Sequence, residues 1–110
     1  MYEGKYQESL KRLGDIEGTL PQSLDRLIAE FLKGKCLLQI GEFRTSIMVT
    51  RQIIDDCTSI PESDIILMDA HILLSAGLSE TGNLQESFKI CQQVEKLIIK
   101  HLKKRGEVVI

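Results

Sequence analysis

Two unrelated short motifs recur along this chain, in the same order and at nearly the same interval, and this repetition constrains its fold more than any other feature. The segment Gly4-Lys5-Tyr6-Gln7-Glu8-Ser9-Leu10 returns as Gly41-Glu42-Phe43-Arg44-Thr45-Ser46-Ile47 and again as Gly82-Asn83-Leu84-Gln85-Glu86-Ser87-Phe88. Each copy reads glycine, any residue, a bulky apolar residue, two polar residues, serine, an apolar residue. Between them, Thr19-Leu20-Pro21-Gln22-Ser23 is answered by Ser59-Ile60-Pro61-Glu62-Ser63. The interval is 40 residues from Thr19 to Ser59 and 41 from Gly41 to Gly82. A period of this size marks a repeat architecture, in which each unit buries its apolar face against its neighbours and cannot do so alone.

The chemistry of each motif places it on a helix. Thr19 with Gln22, and Ser59 with Glu62, have capping-box spacing: the hydroxyl accepts a backbone N–H one turn in, and the amide or carboxylate reaches back. Pro21 and Pro61 then fall in the first turn, where a missing N–H leaves no bond unmade. Gly41 and Gly82 follow long apolar-periodic stretches, where glycine closes a helix in the left-handed conformation. Five helices are predicted, over about 5–18, 20–40, 43–58, 60–81 and 85–104, with no strand. In the second, Leu24, Leu27, Ile28, Phe31, Leu32, Leu37, Leu38 and Ile40 form one apolar stripe, as do Ile65, Ile66, Met68, Ile72, Leu74 and Leu78 in the fourth. Short turns make sequential helices antiparallel neighbours.

Helix pairs joined at a Gly-x-aromatic turn, with a small residue three positions later and a closing proline, resemble the tetratricopeptide repeat. Gly4, Tyr6, Ser9 and Pro21 fall at that family's spacing, with Leu13 and Ile16 at two of its packing positions. Gly34 and Ser75, seven residues before the loop glycines, stand where the family has a small residue, and Leu37 and Leu78 match an apolar position. Serine replaces the usual alanine at Ser9, Ser46 and Ser87, the consensus tryptophan is absent, and Lys33 stands at a usually apolar position. The period also exceeds the family's usual length of about 34 residues, so the likeness is to its longer-helix members. The resemblance implies an all-α, right-handed superhelix of antiparallel helix pairs. It divides residues 1–104 into a half repeat (1–18) and two repeats (19–58 and 59–104), followed by a tail (105–110). Two and a half units fall short of the roughly three a stable stack needs, which leaves three expectations open: a piece of a longer array, a pair with a second copy through its open ends, or a lone short domain with a locally good core.

Bulk composition agrees with one domain. At 110 residues with 43% hydrophobic content, the chain has enough apolar surface for a continuous core. Its 14 basic and 16 acidic residues create no long-range field that would draw it to nucleic acid or an anionic membrane. No apolar run approaches the roughly eighteen residues of a membrane span. Three widely spaced cysteines, Cys36, Cys57 and Cys91, are no disulfide framework and suit a reducing compartment, the cytoplasm.

No motif for catalysis stands out. Cys36, Cys57, Cys91, His71 and His101 lack metal-ligand spacing, and there is no phosphate loop, dinucleotide fingerprint or H-E-x-x-H. No cofactor or metal is expected. Lys96, Lys100, His101, Lys103, Lys104 and Arg105 crowd the end of the last helix, where cations offset the negative end of the helix dipole. The remaining candidate is the surface that the resemblance assigns to binding, the face formed by the first helix of each pair. Ile28, Phe31, Lys35, Leu38 and Gln39 would line it on one helix, and Asp69, Ile72, Ala76, Ser79 and Glu80 on the other. Apolar anchors alternating with polar groups suit a peptide or helix as ligand. The expected function is a noncatalytic scaffold that binds a protein or peptide on its concave face. The alternative is an oligomerisation or regulatory segment of a larger repeat-containing sensor or transcription regulator.

Overall fold

The structure, a computed structural model, describes residues 2–17 and 23–106. Over those residues the chain is all-α, with five helices: α1 (Tyr2–Glu17), α2 (Leu24–Gln39), α3 (Phe43–Cys57), α4 (Asp64–Glu80) and α5 (Leu84–Lys104). Each helix packs on the next and α2 also packs on α4, while α3 and α5 meet through the Arg51–Glu86 ion pair (2.8 Å). The molecule measures 47 × 35 × 22 Å. Its short dimension is about two helix diameters, which makes two layers, α2 and α4 in one and the other three helices in the second. The α2/α4 side of the stack is the more closely packed one.

The predicted helix ends are found, and the backbone shows why. Gly41 and Gly82 take positive φ, 86° and 83°. Each lets the chain close the helix with two reversed bonds: Gly41 N–H to Leu38 O and Glu42 N–H to Leu37 O, then Gly82 N–H to Ser79 O and Asn83 N–H to Leu78 O. The apolar residues four before each glycine, Leu37 and Leu78, are buried while their carbonyls take the closing bond. Gly4 differs: it lies inside α1, which begins at Tyr2 and not at residue 5.

The predicted starts of α2 and α4 are corrected, whereas α3 opens at Phe43 as predicted and α5 at Leu84, one residue early. Thr19 and Gln22 lie outside the described residues, and α2 opens at Leu24 with Ser23 as its extended N-cap residue (φ −149°, ψ 176°). Likewise α4 opens at Asp64 after Ser63, four residues later than the capping box at Ser59 implied. Ser59 Oγ donates to Asp56 O (3.2 Å) and Thr58 Oγ1 to Asp55 O (2.8 Å), so these hydroxyls close α3 and do not open α4. Glu62 sits at φ 61°, a left-handed residue that no continuous helix admits, and Pro61 therefore precedes the helix. Buried Ser63 folds its Oγ–H back towards Ile60 O (2.8 Å) and Cys57 O (3.0 Å), pinning the connection to the end of α3. The repeated serine in fifth place, Ser23 and Ser63, is the residue that marks the helix start.

Leu27 from α2, Ile53 and Cys57 from α3, and Ile66 and Ala70 from α4 form the central cluster, with Leu24, Phe31, Val49, Ile54, Ile60 and Leu67 packed around it. One hydrogen bond is repeated in both units. Ser46 Oγ donates to Gly34 O (2.7 Å), and Ser87 Oγ donates to Ser75 O (2.9 Å), each tying the second helix of a pair to the first. The small residues at the crossings are needed for closeness. A Cβ on Gly34 would lie 3.2 Å from Leu73 Cδ2, and one on Gly77 would lie 2.9 Å from Ile47 Cγ1. Helix α4 has 17 residues against 16 in α2, the one-residue difference between the two motif intervals.

Candidate binding groove

A groove of about 290 Å³ runs between α2 and α4 on the more closely packed side of the stack. Phe31 and Lys35, one turn apart on α2, form one wall. Asp69, Ile72, Leu73 and Ala76, at i, i+3, i+4 and i+7 on α4, form the other. Gly34 sits just below this wall, where α2, α3 and α4 meet, and its missing side chain lets Leu73 approach α2.

Five of the ten sequence-predicted residues are thus brought together: Phe31, Lys35, Asp69, Ile72 and Ala76. Ile72 is 54% exposed although it is apolar and mid-helix, whereas Phe31 is half-buried and also packs against the central cluster. The other five do not line this groove. Ile28 is exposed on α2, Leu38 is half-buried, and Gln39, Ser79 and Glu80 are exposed in the last turns of their helices. Leu73 was missed by sequence reasoning. It is 6% exposed and reads as core; the available signal was its i+4 relation to Asp69.

The groove offers an apolar floor with one cation and one carboxylate at its edges. That combination binds by burying a ligand's apolar side chain while Lys35 and Asp69 fix its polar neighbours; it holds no nucleophile.

Elsewhere, Asp64, Leu67, Met68, Leu97, Lys100, His101 and Lys104 enclose a smaller hollow of about 150 Å³ between the start of α4 and the end of α5. Lys104 Nζ stands 3.3 Å from Asp64 Oδ2, so part of the basic cluster is neutralised within the fold. His101, Lys103 and Lys104 occupy the last turn of α5, where the helix dipole favours cations. Burial pushes the Cys36 and Cys57 thiols above their ordinary value, Lys35 partly opposing this at Cys36 and a hydrogen bond from Ser63 at Cys57. Neither is an activated thiolate. His71 Nδ1–H donates to Leu67 O at 2.8 Å within its own helix. No three His, Cys, Asp or Glu side chains gather as a metal site among the described residues, and no described helix is long and apolar enough to cross a membrane.

Comparison of the chain with protein-family models, curated proteins and solved structures finds no match.

Proposed function

We propose that this chain is a noncatalytic interaction module of the tetratricopeptide type, a right-handed helical stack that holds a protein or peptide segment in the groove between α2 and α4. Ile72 carries the reading: an apolar side chain left 54% exposed beside Phe31, with Lys35 and Asp69 lining the same groove, is a ready anchor point with polar registration around it. Helix α2 packs along α4 while α3 and α5 are joined through the Arg51–Glu86 ion pair, which agrees with first helices on the inner side of the stack. Three free cysteines fit a reducing compartment, the cytoplasm.

The test is selection from a random displayed-peptide library, with the native chain and an Ile72→Asp variant run in parallel. Enriched peptides are expected to share an apolar anchor beside charged residues, to shift the amide resonances of Phe31, Lys35, Asp69 and Ile72, and to lose at least tenfold in affinity for the variant. Because Ile72 is exposed, the variant should melt as the native chain does. Peptides that map to another surface would remove the groove assignment.

A further inference from the structure

The repeat supplies an internal reference for every surface of α5. Aligning Ser46 with Ser87, whose hydrogen bonds to the preceding helix are the same, sets Phe43 against Leu84, Ile47 against Phe88, Thr50 against Cys91, Ile54 against Glu95 and Cys57 against Ile98. On α3 these positions meet α4. Thr50 is 0% exposed and Cys57 7%, Gly77 crosses against Ile47 and the Phe43 backbone, and Ile54 packs on the cluster containing Ala70. Of their counterparts on α5, Leu84 and Phe88 are each 65% exposed and Ile98 43%, while Cys91 is exposed with its Sγ 3.2 Å from Ser75 Oγ of α4. Among the described helices α5 packs along α4, and Glu86 near its start reaches Arg51 of α3 (2.8 Å).

We infer that this stripe of α5 is a second docking surface, distinct from the α2/α4 groove, and that its occupant is an amphipathic helix of a partner protein that seats as α4 seats on α3. The α3–α4 contact specifies that helix. Opposite Phe88 it carries a glycine or alanine, because at the equivalent crossing a Cβ on Gly77 already lies 2.9 Å from Ile47. Seven residues earlier, where Ala70 stands relative to Gly77, it carries lysine or arginine, because Glu95 replaces Ile54 at the facing position. Around those two points it is apolar, to cover Leu84 and Ile98.

A synthetic peptide with the sequence of residues 64–80 and Ala70→Lys serves as probe, its binding to the native chain followed by fluorescence anisotropy. Saturable binding is expected, weakened at least tenfold by Phe88→Lys in the protein and equally by Gly77→Leu in the peptide. The peptide with Ala70→Glu should bind the native chain poorly and regain affinity for a Glu95→Lys protein, a charge exchange that a loss of folding would not reproduce. Phe88 is exposed, so the Phe88→Lys protein should keep its melting temperature; Leu84→Lys is the second variant. Ile72→Asp should leave this binding unchanged, which separates it from the groove. Absence of saturable binding, equal affinity for the Gly77 and Gly77→Leu peptides, or indifference to Phe88→Lys overturns the inference. So does micromolar self-association abolished by Phe88→Lys, which would assign the stripe to a second copy of this chain.

Discussion

The hydroxyl of the serine in sixth place of the turn motif makes a bond that alanine would lack. Ser46 is 1% exposed and its Oγ–H spans from α3 to the Gly34 carbonyl. That carbonyl also has a helical partner in reach, so Ser46→Ala leaves no orphan acceptor and should cost only about 1 kcal/mol in urea unfolding, the net worth of a buried hydrogen bond. Gly77→Ala tests the opposite crossing. Helix propensity favours alanine by about 1 kcal/mol, but a Cβ 2.9 Å from Ile47 Cγ1 forces displacement, and crowding of that kind costs roughly 1–3 kcal/mol. Net destabilisation is expected, and in a double-mutant cycle Ile47→Ala should cost less in the Gly77→Ala background than in the native chain; additive losses would show that the contact is slack. The lining of the groove was only half legible. Phe31, Lys35, Asp69, Ile72 and Ala76 followed from repeat position, whereas Leu73 enters the groove through the close approach at Gly34, which no linear pattern reveals.

At the scale of the element, helix ends were readable, and so were the starts of α3 and α5 that follow a loop glycine, but not those of α2 and α4. A glycine after an apolar period has one structural use, and both Gly41 and Gly82 take the left-handed conformation that use requires. Gly82→Ala should therefore destabilise by about 1 kcal/mol through α4's end, read as a lower urea midpoint. Ser59-Ile60-Pro61-Glu62, by contrast, satisfies the spacing of a capping box and equally that of a turn. The turn prevails because Ser63 anchors the connection to the Cys57 and Ile60 carbonyls. Glu62 holds φ 61° without being glycine, so Glu62→Gly should raise stability by a few tenths to 1 kcal/mol if the relief of the left-handed conformation outweighs glycine's extra unfolded-state freedom. A lowered midpoint would show that it does not.

Over the whole molecule, the period announced a layered stack of antiparallel helices, and burial of the cysteines offers a way to watch that stack open. Cys91 is exposed on α5, Cys36 is half-buried and Cys57 belongs to the central cluster. Alkylation should accordingly modify Cys91 at once, Cys36 more slowly and Cys57 only on global unfolding, an order that mass spectrometry resolves. Because burial holds the Cys57 thiol in its neutral form, its contribution to stability is present below the ordinary value near 9.0 and is lost as pH rises beyond it. A Cys57→Ala chain should show a smaller alkaline loss than the native one. The groove's charges have a further effect. The bonds from Ser46 and Ser87 hold α2 and α4 in a common register, so the extra residue only lengthens α4 at its start, and Phe31 and Lys35 stand level with Ile72 and Ala76. Asp69 then lies towards the starts of the two helices and Lys35 towards their ends. A segment laid along it from one end would meet a different succession of side chains than from the other, which gives the groove a reading direction.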